Sequence, residues 1–368
     1  MELIVKKEIL LKPLSYVVGV VEKRQTLPIL GNVYLQASSA KLTLIGTDLE
    51  TEITTFIEGL DSVDGELTVG ARKLFDIVRS MPDSAEIKLD AAQENKVVVS
   101  SGRTRFTLQT LPAKEFPKLE VSDWDAHFSV SRSALSGLLA STQFAMAQQD
   151  VRYFLNGLLF EIEQGVLRAV ATDGHRLARS EIAVPGIQEA SVQRIVPRKA
   201  VLEMQRFLSS EDEGDVEVKI NANHISVSTD GLMFISKLID GRFPDYNSVI
   251  PANLSKHISL DRQEFIDVLV RAAILSNEKF KGISLTLESG LLKVSSNNPE
   301  QEQANDEMVV DYSDEAVEVG FNVNYVLDAL RNLDTKEVVL GLQDANTSCT
   351  VKSPKNENTL YLIMPMRL

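Results

Sequence analysis

The sequence predicts an α+β protein in which one structural unit occurs three times along the chain. Three observations support this prediction. A chain of 368 residues is too long for one ordinary hydrophobic core. A similar order of segments starts again near residue 130 and near residue 258. The second helical segment of each copy has apolar residues at helical spacing, such as Leu74, Ile77 and Val78 in the first copy.

Each copy reads as a helix, several strands, a second helix and further strands, so two helices pack on antiparallel sheets in every copy. The helices are predicted over residues 7–20, 71–80, 131–146, 197–208, 261–276 and 322–333. Strand-type residues concentrate in residues 42–45, 97–100, 216–220 and 338–342. Pro, Asn, Ser and Asp gather near residues 119–126 and 250–256, which indicates linkers. The predicted domains are therefore residues 1–122, 123–253 and 254–368.

The chain ends on an apolar run, Leu360 to Leu368, although a C-terminus is usually frayed and polar. Pro365 cannot donate a ladder hydrogen bond, so a strand must end there or lie at a sheet edge. Met364 and Met366 are adaptable side chains of the kind found on surfaces that accept several ligands. The run is either a closing β-strand alone or also a surface offered to a partner.

The composition limits the cellular compartments and the classes of partner that fit this protein. A single cysteine, Cys349, excludes an intrachain disulfide, and the charges in the first eight residues do not fit a signal peptide. We therefore expect a cytoplasmic protein. The formal net charge of −14 argues against nucleic acid as a partner. Lys and Arg nevertheless outnumber Asp and Glu in the first four predicted helices, which fits either an ordinary solvated helix face or a locally positive surface on an acidic body.

The sequence motifs of common enzymes are absent. No glycine is followed by lysine, as a Walker A loop requires, and neither G-x-S-x-G nor H-E-x-x-H occurs. The four histidines lack metal partners at helical spacing, so no metal, cofactor or catalytic residue is predicted. Asp173 and His175 could serve an acidic hydrolase or nucleotide-binding enzyme, or could form a turn between strands. A structural scaffold without a nucleic-acid role is a third interpretation.

Seven segments carry a resemblance to a known family over the full length of the chain. They are residues 26–32, 149–153, 171–177, 240–246, 273–280, 297–302 and 364–368. In these segments the sequence resembles the bacterial DNA polymerase III β subunit family, the sliding clamps. The resemblance implies the DNA-clamp fold, closed as a head-to-tail homodimer ring. Such a ring encircles double-stranded DNA without sequence specificity, has no enzymatic activity and makes the replicative polymerase processive.

The ring implied by the resemblance agrees with the helix count. Two helices in each of three copies give twelve helices in a dimer. At about 10 Å per helix they would line a circle roughly 38 Å across between axes and leave about 28 Å clear, which admits a duplex. Retention would then be topological, so the acidic net charge is no obstacle.

The resemblance also implies a groove between the second and third domains that binds short linear motifs. Its ligands in the family are the polymerase III catalytic subunit, the clamp loader, other polymerases and repair proteins. The groove residues carry over to Leu155, Thr172, Gly174, His175, Arg176, Leu177, Pro244, Val249, Leu362, Met364, Pro365, Met366 and Arg367. The DNA contacts carry over to Arg24, Gln149, Arg152, Tyr153, Phe154 and Arg198.

The dimer interface implied by the resemblance has an apolar centre within a rim of opposite charges, as interfaces commonly do. One side of the interface consists of Arg103, Arg105, Phe106 and Leu108. The other side consists of Ile274, Leu275, Glu300, Glu302 and Asp306. For Ile274 and Leu275 the alternative is burial in their own domain. The chain also departs from its relatives: Ser248 stands where some have arginine, and Gln303 and Asn305 stand where glutamates are common.

Overall fold

The computed structural model describes residues 1–22, 27–121, 123–187, 191–209 and 213–367. The chain divides into two compact units, Met1–Ser133 with Leu202–Leu238, and Ala134–Val201 with Ile239–Leu368. The predicted second domain thus contributes residues to both units.

The first third of the chain contains two helices and nine strands within the described residues. In chain order they are β1 Glu2–Lys6, α1 Lys7–Val20, β2 Asn32–Ser38, β3 Lys41–Thr47, β4 Thr51–Glu58, β5 Asp61–Val63, β6 Gly65–Gly70, α2 Ala71–Ser80, β7 Glu86–Asp90, β8 Lys96–Ser101 and β9 Thr104–Leu111.

The middle third begins again with a strand that leads directly into a helix. Its elements are β10 Ala126–Ser131, α3 Arg132–Ala140, β11 Gly157–Glu163, β12 Val166–Thr172, β13 Arg176–Ala183, β14 Val192–Pro197, α4 Arg198–Leu208, β15 Asp215–Ile220, β16 His224–Thr229 and β17 Leu232–Lys237.

The last third has the same order of elements as the middle third. They are β18 Lys256–Asp261, α5 Arg262–Ala273, β19 Gly282–Glu288, β20 Leu291–Asn297, β21 Gln303–Val309, β22 Val317–Asn322, α6 Val323–Arg331, β23 Glu337–Leu342, β24 Cys349–Lys352 and β25 Thr359–Ile363. Each copy therefore runs strand, helix, four strands, helix and three strands, with the short β5 added in the first. The predicted α+β repeat is confirmed.

Four predicted helices, α3 to α6, are longer than the observed ones, α3 by the most. The strand before each first helix was not predicted. α3 ends at Ala140 instead of residue 146. Beyond it the hydroxyl of Thr142 bonds to the carbonyl of Leu138 over 2.8 Å, and a 3₁₀ turn, Gln143–Ala145, follows. A threonine that bonds back to the preceding turn competes with regular helix geometry, which accounts for the early end.

The sheets repeat one pairing order. The four strands between the helices pair as β6-β2-β3-β4, β14-β11-β12-β13 and β22-β19-β20-β21. The last strand of the second copy, β17, pairs antiparallel with β4, and the last strand of the third copy, β25, pairs antiparallel with β13. We call this contact the seam. It joins the last strand of one copy to the strand of the preceding copy that ends its four-stranded row, β4 or β13.

The seam occurs twice within the described chain. The two strands that correspond to a third seam, β9 and β21, do not pair with each other. β21, the counterpart of β4 and β13, is the edge strand of a four-stranded sheet. β9, the counterpart of β17 and β25, pairs with β8 along its length but meets β6 only at Thr68 and Val69. Both strands therefore keep backbone donors and acceptors available for another chain.

The cores lie between the helices and the sheets. Leu10, Leu14 and Val17 of α1 are fully buried, as are Val326 and Leu330 on the inward face of α6. Cys349 is also buried, so its thiol belongs to the core of the second unit. None of the helices in the described ranges is long and apolar enough to cross a bilayer.

Candidate functional site

A largely apolar groove of about 260 Å³ lies within the second compact unit. Its lining comes from the segment before β11, the β12–β13 turn, the segment before the second linker, and β25 with the residue that follows it. The lining residues are Arg152, Phe154, Leu155, Thr172, Gly174, Arg176, Leu177, Pro244, Asp245, Tyr246, Val249, Leu362 and Met364. A concave apolar site with few polar groups is the usual form of a ligand pocket.

Nine of the thirteen residues expected to bind peptides line this groove, and four do not. The four are His175, Pro365, Met366 and Arg367. The His175 ring stacks on Tyr325 with the ring centroids 6.2 Å apart. The backbone N–H of Met366 donates to the carbonyl of Gly320 over 2.9 Å, and Arg367 is exposed. Pro365, Met366 and Arg367 thus continue the chain beyond the groove, whereas His175 lies in the β12–β13 turn.

The C-terminal run is a strand followed by a groove wall. β25 pairs with β13 and β24 and ends at Ile363, two residues before Pro365, as the missing proline donor requires. The thioether sulfur of Met364 accepts a hydrogen bond from Ser348 over 2.9 Å, and its side chain lines the groove. A polarizable, unbranched side chain at this position can adapt to ligands of different shape.

The segment Asp173–Arg176 forms the tight turn between β12 and β13. The Asp173 carboxylate accepts bonds from the backbone N–H groups of His175 and Arg176, over 2.9 and 3.0 Å, and from Nε of Arg176 over 3.0 Å. Gly174 has φ +88°, and a Cβ there would lie 3.0 Å from the Arg152 guanidinium. Both features favour glycine. The Asp173 carboxylate is thus occupied in forming the turn.

Arg176 is engaged on every side of its guanidinium group. It bonds to Asp173, to the Asp328 carboxylate of α6 over 2.5 Å and to the carbonyl of Phe144 over 2.8 Å. It also lies 4.7 Å from the ring centroid of Tyr325. Arg176 therefore supports the groove wall by joining the β12–β13 turn to α6, and its side chain has little freedom to reach a ligand.

Four of the residues expected to contact DNA lie in one segment, residues 149–154, while Arg24 lies outside the described residues. Gln149, Arg152 and Tyr153 are exposed, and Gln149 has φ +57°. Arg198 is near them because its backbone N–H donates to the carbonyl of Asn156 over 3.0 Å. Arg152 is paired with Asp150, and the hydrogen bonds from its guanidinium and backbone lower the pKa of that carboxyl to about 2.

Arg152 and Phe154 belong to the groove as well as to the expected DNA segment, which sequence reasoning did not anticipate. Asp245 and Tyr246 were also missed as lining residues. The signal was present in the run Phe243 to Tyr246, since an aromatic pair around a proline is typical of a buried turn. Tyr246 packs in the apolar cluster beneath the groove with Leu159 and Phe243.

The residues expected at a dimer interface lie on β9 in the first unit and near α5 and β21 in the second. Phe106 is 36% exposed and Ile274 is 75% exposed, so Ile274 is not buried in its own domain, whereas Leu275 is half-buried. Asp306 pairs with Arg271 within the chain over 2.5 Å. Glu302 accepts a bond from Asn298 over 2.7 Å.

Among the described residues, no group of three or more His, Cys, Asp or Glu side chains is placed to hold a metal ion. The groove, the exposed segment 149–154 and the two open strands are therefore the features on which a function can be built.

Three family models match consecutive parts of the chain. They are described as the N-terminal, central and C-terminal domains of the DNA polymerase III beta subunit, and they match residues 1–120, 129–245 and 247–367 respectively.

Curated relatives and solved structures match over the full length. The chain is 47% identical to a beta sliding clamp of Pseudomonas aeruginosa and 45% identical to that of Escherichia coli K12, with both chains covered completely in each case. A crystal structure of the Pseudomonas aeruginosa DNA polymerase III subunit beta matches with a TM-score of 0.96 at 47% identity and complete coverage of both chains. A second structure from that organism, bound to griselimycin, matches with a TM-score of 0.96 at 46% identity, again with complete coverage.

Proposed function

The chain belongs to the DNA polymerase III beta subunit family, the beta sliding clamps, and from this premise we propose how three of its surfaces serve a clamp. Sliding clamps of this family are non-enzymatic processivity factors and form dimeric rings on DNA. The proposal concerns the domains, the ring interface, the partner groove and the DNA contacts of this chain. A cytoplasmic location belongs to it, because the DNA that such a ring encircles lies there.

We propose that the three domains are residues 1–122, 123–253 and 254–368. The repeated order of elements supports this division, since a new copy begins at β10 and at β18. Each boundary falls between the last strand of one copy and the first strand of the next.

The observation that carries the interface proposal is the repeated seam. β17 pairs with β4 and β25 pairs with β13, while their counterparts β9 and β21 are open. If β9 of one chain pairs with β21 of a partner in the same way, the third seam is completed. Two such contacts close a head-to-tail dimer, because a heterologous contact that closes after two subunits gives a ring.

The internal repeats also give the register of the proposed seam. The strand pairings align Phe106 with Phe234 of β17 and Tyr361 of β25. Phe234 lies opposite Ile53 and Tyr361 lies opposite Ala178. By the same equivalence, Phe106 would lie opposite Ala304 of the partner subunit. Phe234 and Tyr361 are buried, whereas Phe106 is exposed in the single chain. The exposed aromatic ring is thus the one whose covering strand is missing.

This register accounts for the apolar centre and for one ion pair of the charged rim. Phe106 and Leu108 would share a face with Ala304 and Asp306, which is the face that α5 covers through the Arg271–Asp306 pair. That face leads to Ile274 and Leu275 at the end of α5. On the other face, Arg105 would lie opposite Asn305 and Arg103 opposite Glu307, a residue that sequence reasoning did not include.

For the groove we propose short linear motifs of partner proteins as ligands, namely those of the polymerase III catalytic subunit, the clamp loader, other polymerases and repair proteins. The apolar lining and the adaptable Met364 support a ligand with aliphatic and aromatic side chains. The griselimycin-bound relative supports the view that clamps of this kind take compact ligands.

For DNA we propose non-specific contacts through Gln149, Arg152, Tyr153, Phe154 and Arg198, together with Arg24. The exposure of the first three supports this role, as do the two arginines near one another. Contacts of this type add a weak, salt-sensitive attraction to phosphates, while retention depends on ring closure.

The decisive experiment loads the protein onto nicked circular DNA with its clamp loader and isolates the complex by gel filtration. We expect the protein to remain on the circle and to leave it when the circle is cut once. Primer extension on a long template should give longer products when the loaded protein is present. Protein that stays on linear DNA, or product lengths that do not change, would contradict the proposal.

A further inference from the structure

A buried carboxylate lies directly beneath the groove. The hydroxyl of Tyr246, a residue that lines the groove, donates to Oε2 of Glu161 over 2.6 Å. The Glu161 side chain is only 11% exposed. Sequence reasoning assigned no role to either residue.

Neighbouring strands fix the position of this carboxylate. Nε2 of Gln193 on β14 donates to Oε1 of Glu161 over 2.6 Å, and Nη1 of Arg168 on β12 donates to Oε2 over 3.2 Å. Arg168 also donates to Glu181 on β13 over 2.9 Å. The Glu161 carboxylate is thus bound from the strands on both sides of β11.

The protonation states make the Tyr246 contact a strong one. Burial alone would raise the pKa of Glu161, but the hydrogen bonds from Tyr246, Gln193 and Arg168 outweigh it and lower the pKa overall. Burial, with the bond to Glu161, raises the pKa of Tyr246 to about 12. At neutral pH a neutral phenol therefore donates to a charged acceptor, and such charge-assisted bonds are shorter and stronger than neutral ones.

Tyr246 is also the first residue of the 3₁₀ turn Tyr246–Val249. Pro244 and Val249, which flank Tyr246 in the sequence, line the groove together with Leu362 of β25. A change in the tilt of the Tyr246 ring would therefore alter the floor and one wall of the groove together.

We propose that Glu161 is a positioning residue for the partner groove, acting through Tyr246 to hold the groove in the shape that accepts a peptide. Glu161 does not touch the ligand. The inference rests on the proposed function of the groove and names the residue that maintains its shape.

The test measures the affinity of a fluorescent peptide with leucine and phenylalanine side chains by anisotropy. Glu161→Gln removes the charge at nearly constant shape, and it leaves Arg168 paired with Glu181 and Glu163. We expect about tenfold weaker binding, as for the loss of a hydrogen bond to a charged group. Tyr246→Phe should cause a similar loss, and the double variant should lose no more than either single variant because both act on one contact.

Glu163→Gln is the matched control. Glu163 lies on the same strand, 3.5 Å from the same arginine, but its side chain is 52% exposed and faces solvent. It should bind the peptide as tightly as the unaltered chain. A parallel measurement of dimer formation by sedimentation reports on the rest of the molecule and should be unchanged in all variants.

Three results would overturn the inference while leaving the groove assignment in place: additive losses in the double variant, an equal loss for Glu163→Gln, or normal affinity of Glu161→Gln. If Glu161→Gln does not fold, Tyr246→Phe decides, because it removes the same bond while the carboxylate keeps Gln193 and Arg168. An unaltered chain that fails to bind the peptide would overturn the groove assignment itself, and this inference with it.

Discussion

The backbone N–H of Met364 donates to the carbonyl oxygen of His175 over 2.8 Å. The residue that follows β25 is therefore hydrogen-bonded to the β12–β13 turn, which lines the groove. Two residues later, the backbone N–H of Met366 donates to the carbonyl oxygen of Gly320 in β22. The C-terminal segment is therefore held at both ends of Pro365. Pro365 lies between these two bonds, and the side chain of Met364 lines the groove.

Deletion of Met364 to Leu368 should abolish peptide binding while leaving the dimer intact. The deletion removes Met364 from the groove lining and two backbone hydrogen bonds, but β25 keeps its pairing with β13 and β24. Calorimetry with the peptide measures the loss. Met364→Leu, which keeps apolar volume, is the control and should retain most of the affinity. Undiminished binding by the deletion variant would place the groove elsewhere.

The double substitution Ile274→Ala with Leu275→Ala should convert the dimer into monomers. Both side chains belong to the proposed interface centre, and the loss of their apolar contact area weakens association by several kcal/mol at most, about 2–4 kcal/mol. Sedimentation at micromolar concentration distinguishes the two states. Val63→Ala removes a side chain that is 60% exposed on β5 and should leave the dimer unchanged. A dimer that survives the double substitution would refute the assigned surface.

Asn305→Glu should strengthen the dimer. In the proposed register Asn305 lies opposite Arg105 of the partner subunit's strand, where a new carboxylate would complete a cross-strand ion pair of about 0.2–1 kcal/mol. The gain should shrink as salt rises, because exposed pairs are screened. The dimer dissociation constant at two salt concentrations measures this.

Gln303→Glu is the matched control for that prediction, since it adds the same charge on the same strand but opposite Thr107 in the same register. We expect a smaller gain from it. Equal gains from both variants would favour general electrostatic attraction over the register.

The sequence predicted the repeat, the helices and most groove residues because each depends on local pattern or on a long shared motif. Apolar spacing predicted the first residue of α2 correctly and the first residue of α6 to within one residue. It missed the strand before each first helix, because strands as short as β1 and β10 carry too few residues for their alternation to stand out beside a longer helix.

The parts of the site that could not be predicted depend on contacts between distant segments. Arg176 lines the groove, but its bonds to Asp328, 152 residues away, and to the carbonyl of Phe144 could not be read from the sequence. Tyr246 and Glu161 are 85 residues apart, and no local pattern pairs them. Asp306 likewise appeared available for a partner, although Arg271 already neutralises it.

Cys349 should resist alkylation in the folded protein. Burial raises the pKa of its thiol to about 12, and the reactive form is the thiolate, so at pH 8 almost none is present and the reagent cannot reach it. Iodoacetamide followed by mass measurement should add nothing to the native chain and one group in urea, where the pKa returns to its ordinary range. Rapid labelling of the native chain would show that β24 opens easily.

Gly19→Ala should destabilise the protein although alanine favours helices. A Cβ at residue 19 would overlap the guanidinium of Arg206, which donates to the carbonyls of Tyr16 over 2.7 Å and Ser15 over 3.2 Å near the end of α1. Arg206 would have to leave these acceptors. Because these bonds are exposed and water can replace them, we expect the free energy of unfolding to fall by at most about 1 kcal/mol. Gly137→Ala on α3 is the control, because a Cβ there meets no atom within 4 Å. It should stabilise the protein by about 0.5–1 kcal/mol. Urea unfolding measures both changes, and a Gly19→Ala variant as stable as Gly137→Ala would show that Arg206 does not secure the end of α1.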